Sequence, residues 1–230
     1  MKVIAKIHTD FPEKFGVPRQ SGLVASLTGK IVFEPEYRVV EAVRGLEGYS
    51  HIWLLWQFSQ AMRETWSPTV RPPRLGGNQR LGVFATRSPY RPNPIGLSSV
   101  RLEKIAVEEQ LGPVLYISGA DLLDGTPIYD IKPYLPFTDS HPEAIGGFSD
   151  ACVTYGLQVE ISEELLMKIP LDKQEALLGV LAQDPRPAYQ NDPQRIYGLM
   201  FGTQNISFRV QENILSVMAV ETVGLHEEKK

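Results

Sequence analysis

Four stretches of this 230-residue chain combine chemically capable side chains with a backbone held by proline and glycine. The densest runs from Thr69 to Asn78 (Thr-Val-Arg-Pro-Pro-Arg-Leu-Gly-Gly-Asn) and resumes from Gly82 to Gly96, where Arg87, Ser88, Tyr90 and Arg91 lie among prolines. Proline pre-sets the backbone and glycine lets it approach a ligand, so polar groups can be held with little ordering cost on binding. The same turn chemistry also suits a rigid surface loop with no ligand. A second stretch, Pro18-Arg19-Gln20-Ser21-Gly22, joins a guanidinium, an amide and a hydroxyl on a turn ending in glycine. The third, Asp121-Leu122-Leu123-Asp124-Gly125, leaves a predicted strand with two carboxylates that can accept hydrogen bonds from ribose hydroxyls or an adenine amine, although Asp-Gly is also an ordinary turn signal. In the fourth, Asp184-Pro185-Arg186-Pro187-Ala188-Tyr189, two prolines fix an acid, a guanidinium and a phenol just after a predicted helix, a pattern that a simple helix stop also explains.

Charge is distributed unevenly around these stretches. The chain carries −4 overall, which by itself argues against a polyanionic partner, yet the segment from Arg63 to Arg101 holds seven arginines, no lysine and one acid. It carries +6 and the remainder −10. Planar guanidinium groups suit paired hydrogen bonds to phosphate or carboxylate, so Arg71, Arg74 and Arg91 are candidate RNA-phosphate contacts. Pairing of these arginines with surplus acids elsewhere is the structural alternative.

Groups this far apart in sequence need a framework to bring them together. Segments rich in β-branched and aromatic residues recur at 2–7, 30–33, 51–58, 81–86, 97–107 and 114–120, separated by turn formers and with no long amphipathic helix between them. That predicts a mainly β, barrel-like domain and disfavours a doubly wound sheet of the Rossmann kind. Trp53 and Trp56 read as core within an apolar run, and His51 as a structural histidine. A loop at 137–152 marks a boundary near residue 150, giving a barrel domain at 1–150 and a small α+β domain at 151–230. In the second domain the pattern predicts a strand at 153–161, a short helix capped by Ser162, a helix to Ala182 opened by an Asp172/Glu175 capping box, and strands at 196–201, 205–210 and 214–223.

Composition and motifs exclude several classes. The single cysteine, Cys152, and four histidines offer no zinc-ligand spacing, so no metal is expected. Dinucleotide, phosphate-loop, zinc-protease and nucleophile-elbow signatures are absent. No apolar run reaches bilayer length and the N-terminus lacks signal-peptide features, which places the chain in the cytoplasm as an expectation, with no membrane partner.

Six stretches in order resemble the TsaA-like family, whose characterised bacterial members are the TrmO-type tRNA threonylcarbamoyladenosine methyltransferases. They are residues 14–20, 42–47, 70–78, 82–96, 121–134 and 182–189, spread over nearly the whole chain. The resemblance implies a non-Rossmann β-barrel methyltransferase fold, S-adenosylmethionine as methyl donor, a homodimer, and methylation of the exocyclic nitrogen of threonylcarbamoyladenosine beside the anticodon of threonine tRNA. It further implies cofactor contacts at Gln20, Ser21 and Gly22, at Phe58 and Ser59, at Arg87 and Leu97, and along Asp121, Leu122, Leu123 and Asp124. Ala5, Thr9, Ser21 and Ser59 depart from the family pattern, which has glycine, serine, proline and histidine there. Against that substrate, Asp184 and Tyr189 are candidates for orienting or deprotonating the acceptor nitrogen, and Arg186 or Arg91 for pairing with the threonyl carboxylate. A non-catalytic module that senses S-adenosylmethionine or a nucleotide, and a methyltransferase for another RNA or a small molecule, are the rival readings.

Overall fold

Alternation of apolar and polar residues builds the first layer of the computed structural model, which describes residues 1–61, 65–72, 79–152, 156–187, 190 and 192–224. In chain order its strands are β1 (Ala5–His8), β2 (Thr28–Phe33), β3 (His51–Gln57), a small ribbon of β4 (Thr69–Val70) and β5 (Leu81–Gly82), then β6 (Ile95–Glu108), β7 (Gly112–Ser118) and β8 (Pro127–Pro133). All but the ribbon close into a barrel in the order β1-β2-β7-β6-β3-β8, every pairing antiparallel. Every second residue points inward, so Ile52, Leu54 and Trp56 of β3 meet Val100, Leu102, Ile117 and Ile128 in the interior. Closure removes the exposed strand edges that an open sheet of this size would present.

Several elements differ from the sequence expectation, among them the strand expected over 153–161, which is confined to Gln158–Glu160 with residues 153–155 outside the described ones. The strand expected over 81–86 stops at Gly82, because Thr86 donates from both its backbone N–H and its hydroxyl to the Val83 carbonyl (3.2 and 2.9 Å) and winds Val83–Ala85 into a 3-10 turn. Strand β8 was not anticipated, since a proline stands at each of its ends. Pro127 is tolerated as the first residue of the strand, at a seam where β1 and β8 share only two paired positions.

After a single α-helical turn α1 (Pro136–Asp139) and a 3-10 segment (Gly147–Cys152), the chain forms β9 (Gln158–Glu160), α2 (Glu163–Leu166), α3 (Leu171–Ala182), β10 (Tyr197–Phe201), β11 (Gln204–Gln211) and β12 (Ile214–Thr222). The last three strands form a meander, and β9 joins β12 in parallel. Ser162 caps α2 as its position predicts, accepting from Leu165 N–H at 3.3 Å. Helix α3 ends at Ala182 as read, but Pro170 takes the cap position, so Asp172 lies inside the first turn and acts on the helix dipole rather than as the cap.

The second core is not purely C-terminal. Phe11, Val24 and Leu27, from the segment joining β1 to β2, are buried with Leu177, Val180 and Leu181 of α3 and with Leu199, Ile206 and Phe208 of the sheet. Contact between the two is close at Gly179, where an added Cβ would lie 2.6 Å from Val24 Cγ1. Trp53, read as core, instead lies half-buried on the barrel exterior and donates its indole N–H to Asp139 (2.8 Å). His51 has the structural setting expected of it, with Nδ1 3.0 Å from Ser50 Oγ and its ring against Tyr134.

The phenol of Tyr197 is buried in this second core, clustered with the rings of Phe15 and Phe208, with no hydrogen-bond partner for its oxygen among the described residues. A buried hydroxyl without a partner costs about 1–3 kcal/mol. Tyr197→Phe is therefore expected to unfold in urea at the same or a higher midpoint than the native chain. A midpoint lowered by the equivalent of about 1 kcal/mol would show that the hydroxyl has a partner after all.

Candidate functional site

One mouth of the barrel collects most of the side chains singled out from the sequence. The ends of β1, β3 and β7 and the starts of β2, β6 and β8 all meet there. Gly22 N–H bonds the Gly119 carbonyl (2.9 Å), which lays the 18–22 turn along the end of β7. Arg87 reaches from the loop before β6 and donates to the Gln20 side-chain oxygen. Asp121 lies beneath them, its Oδ1 accepting a 2.6 Å hydrogen bond from the Ser98 hydroxyl. Ser98 in turn accepts the indole N–H of Trp56 at 2.9 Å, and Phe58 packs on Trp56 with ring centroids 4.3 Å apart.

This chain of contacts depends on register. In β6, Gly96, Ser98 and Val100 face inward, and Gly96 leaves room for the Trp56 indole, which a Cβ would overlap. Ser98 is only 1% exposed and was missed in the sequence reading. Its signal was present, since a serine on the inward register of an apolar strand must find a buried partner. Trp56 was read as core, and it is; its N–H also belongs to the site.

Burial is the largest influence on Asp121 and pushes its carboxyl above the ordinary carboxylate range. The Ser98 hydroxyl, its own backbone N–H, the charge of Arg87 and the Ser21 N–H pull it back only partly. An acid in this state is poised to take up a hydroxyl or cationic partner, which would favour its ionised form.

The remaining expected cofactor residues divide. Leu97 is 54% exposed on the outer face of β6 and Ser59 is exposed on the 3-10 turn Ser59–Ala61. Leu122 is fully buried in the barrel and Leu123 packs on the second core, so this turn can offer a ligand its backbone and its carboxylates. Asp124 is engaged by Thr9 N–H (3.1 Å) and His8 Nδ1 (3.3 Å), while the Thr9 hydroxyl holds the Leu122 carbonyl at 3.0 Å. Thr9, one of the departures from the family pattern, thus braces the turn; Ala5, another, is fully buried in the barrel wall.

Beside this mouth an open cleft of about 440 Å³ is lined by Lys14–Arg19 on one side and by Val180 with Gln183–Pro187 on the other. The fold therefore brings two motifs far apart in sequence face to face within one chain. Lys14 also donates to the Gln60 carbonyl, tying this wall to the Phe58–Ala61 segment. Asp184 and Arg186 are 8% and 7% exposed and pair with each other through Nε–Oδ1 (2.8 Å) and Nη2–Oδ2 (3.0 Å). Both Asp184 oxygens already accept from this guanidinium, which suits a holder of Arg186 better than a proton acceptor. Tyr189 lies outside the described residues.

Of the arginine segment, Arg71 and Arg80 are exposed, Arg101 pairs with Glu103 at 3.3 Å, and Arg63 and Arg74 lie outside the described residues. Arg91 is committed to its own loop, donating to the Thr86 carbonyl at 2.7 Å and reaching those of Val83 and Ser88. Among the described residues no helix is long and apolar enough to cross a membrane, and no group of three or more histidine, cysteine or carboxylate side chains is placed to hold a metal.

Comparison with known proteins agrees over both parts of the chain. The family model of the tRNA-methyltransferase O N-terminal domain matches residues 6–140, and that of the TrmO C-terminal domain matches residues 154–223. A tRNA (adenine(37)-N6)-methyltransferase of Escherichia coli K12 is 43% identical over 226 residues, covering 95% of this chain and 96% of that protein. One from Eikenella corrodens is 48% identical over 177 residues, 75% of this chain and 99% of that one. A crystal structure of TrmO from Pseudomonas aeruginosa superposes with a TM-score of 0.77 at 36% identity, covering 96% of both chains.

The raised carboxyl of Asp121 gives a stability signature that needs no ligand. A group that ionises less readily in the folded than in the unfolded chain lowers stability as pH rises from the ordinary carboxylate range through its folded value, and adds no further slope above it. Asp121→Asn is expected to remove that loss, so the difference in unfolding free energy between variant and native chain should shift in favour of the variant with rising pH and then level off. A difference independent of pH from about 4 upward would mean that Asp121 titrates as an exposed acid.

Proposed function

The chain belongs to the tRNA-methyltransferase O family, and on that premise we propose that it moves a methyl group from S-adenosylmethionine to the exocyclic nitrogen of adenosine 37, in threonylcarbamoyladenosine of threonine tRNA. The observation that carries this reading is the meeting of Gln20, Ser21, Arg87 and Asp121 at one mouth with the Lys14–Arg19 and Gln183–Pro187 cleft directly beside it. A sensor of S-adenosylmethionine needs the first of these features and has no use for the second. We take residues 1–150 as the cofactor-bearing part, residues 151–230 as the part that completes the acceptor side, and a metal-free cytoplasmic homodimer as the working form.

The residues present fit the cofactor by chemistry. S-adenosylmethionine supplies an electrophilic methyl on a sulfonium and presents ribose hydroxyls and an ammonium to its site. Asp121, held by Ser98, can accept from those hydroxyls or pair with the cation; Phe58 offers an apolar face; and Arg87 and Gln20 frame the same mouth, with Gly22 and the Asp121–Asp124 backbone around it, while Leu97 on the outer face of β6 and exposed Ser59 are the expected contacts set apart from it. In-line displacement at a methyl needs little beyond alignment, so holding donor and acceptor is the main task of the protein.

On the acceptor side, Arg186 would meet the threonyl carboxylate, the group that distinguishes this nucleoside from plain adenosine. Asp184 fixes the direction of that guanidinium, and Tyr189 is the candidate to orient the acceptor nitrogen or take its proton.

The decisive measurement is nucleoside mass spectrometry of threonine tRNA. Purified protein with S-adenosylmethionine and a chelator should add a single methyl to its threonylcarbamoyladenosine, and tRNA from cells lacking the gene should be without that methyl. A requirement for metal, or methylation only of another nucleoside, rejects the assignment. For the acceptor wall, Arg186→Lys keeps a cation opposite Asp184 but loses the planar fork. It should remain folded and bind S-adenosylmethionine normally, yet lose at least about tenfold in kcat/KM, or about 1.4 kcal/mol at the transition state. An unchanged kcat/KM would return the Asp184–Arg186 pair to a purely architectural role.

A further inference from the structure

We propose that the exposed, stacked pair Trp66 and Phe84, edged by the Arg91 guanidinium, is a platform on which an unpaired base of the RNA substrate stacks. The inference rests on the reading of tRNA as the substrate. Phe84 is 70% exposed and Trp66 is 50% exposed, and their rings lie 6.1 Å apart at 29°, close to parallel. Two large stacked rings are thus left largely open to solvent, an arrangement that hydrophobic burial alone would not favour.

The arrangement is built by the local sequence. Pairing of β4 with β5, through Thr69 with Gly82 and Val70 with Leu81, brings the two arms of the loop together, and Val83 N–H bonds the Pro68 carbonyl at 2.9 Å. Val83 is 1% exposed and anchors the 3-10 turn, which leaves its neighbour Phe84 outside. Arg91, fastened to the carbonyls of the same turn, lies 5.8 Å over the Phe84 ring. A cation and two aromatic faces are the elements with which proteins bind single-stranded nucleic acid, the base supplying the third ring of the stack.

Charge and position identify the occupant. The pair sits inside the stretch that carries +6 on a chain of −4, so a polyanion is favoured over a neutral or acidic protein surface. It also adjoins the reaction site: Arg87, three residues beyond Phe84, is bonded to Gln20 at the barrel mouth. The commitment of Arg91 to the turn makes it part of the platform rather than a reaching phosphate contact. Backbone contacts then fall to exposed arginines such as Arg71 and Arg80.

The test uses a labelled anticodon stem-loop carrying threonylcarbamoyladenosine, titrated with the full-length protein at several salt concentrations. Phe84→Ala and Trp66→Ala should each weaken binding at least about fivefold with an unchanged salt slope, and Phe84→Tyr should stay within about twofold of the native protein. Both alanine variants should keep their affinity for S-adenosylmethionine and raise KM for RNA more than they lower kcat. RNA should also quench a part of the tryptophan fluorescence that is missing in Trp66→Ala. Native RNA affinity in both alanine variants overturns the platform and leaves the assigned reaction standing. So does a fall to a smaller sedimenting species, which would make the pair an interface between copies of the chain. Failure of the native protein to bind the stem-loop at all removes the platform together with the substrate assignment.

Discussion

A chain segment that leaves the barrel wall, buries its side chains in the second hydrophobic core and returns to the barrel is the constraint from which the site follows. Residues 9–27 leave the barrel at β1 and return at β2, and between these points Phe11, Val24 and Leu27 are buried among the side chains of α3 and the C-terminal sheet. The segment is fastened at several places: Asp10 pairs with Lys173 of α3, its carbonyl accepts from Gly202 N–H at 2.7 Å, and Val24 lies against Gly179. Between these anchors the chain can only run across the barrel mouth, which presents Gln20 and Ser21 to Arg87 and Asp121 and leaves Lys14–Arg19 facing Gln183–Pro187. The barrel mouth and the cleft beside it, the proposed cofactor and acceptor sides, are therefore two faces of a single loop, and neither core can shift without moving both.

Electrostatics at the mouth follow from this packing. Asp121 is a carboxylate placed where burial disfavours its charge, beside an arginine that favours it, with burial the stronger influence. A cationic or hydroxyl-rich ligand, as proposed for this mouth, would add to the stabilisation of the carboxylate that Arg87 begins. The cleft between Lys14–Arg19 and Gln183–Pro187 has the opposite plan. Asp184 and Arg186 pair in near-complete burial, and breaking such a pair by removing one partner costs about 3–5 kcal/mol. Asp121 is thus left with burial outweighing its partners, while Asp184 is matched by a guanidinium that it also holds in place, in keeping with the proposed cofactor and acceptor sides.

Strand positions were legible wherever side chains alternate, as in His51–Gln57 and Asn205–Val210, because period-two burial leaves a direct trace in residue order. The trace fails where backbone geometry outweighs it. Pro127 and Pro133 concealed β8, and two hydrogen bonds from Thr86 turned 83–85 out of the strand that its apolar residues imply. Of the site, the motifs were legible one by one, while their pairings were not. Nothing in the sequence tells that Ser98 serves Asp121, that Arg87 meets Gln20, or that Arg186 is held by an acid two residues before it, since each depends on register or on a turn set by tertiary packing. Arg91 shows the limit plainly: composition ranks it with Arg71 as a phosphate contact, and only the loop geometry shows it bonded to neighbouring carbonyls.

Alignment is the quantity such a site must supply, and both walls are stiffened accordingly. A misplacement on the order of 1 Å costs about a hundredfold in rate when reaction depends on approach geometry. On the barrel side, Trp56, Ser98 and Asp121 form a hydrogen-bonded chain within the closed sheet, and Gly96 lets the indole lie flat enough to make it. On the other side, Asp184 adopts a left-handed backbone, φ 53°, a conformation that aspartate tolerates better than most residues. Its Oδ1 accepts from both the backbone N–H and Nε of Arg186, so one carboxylate sets the turn and the guanidinium at once. Asparagine at 184 would keep the turn and lose the charge; glycine would keep the backbone and lose all three hydrogen bonds to Arg186. Aspartate alone of these three provides the turn, the left-handed backbone and the opposing charge, which explains why an acid stands between the end of α3 and two prolines in a cleft that has to hold its shape.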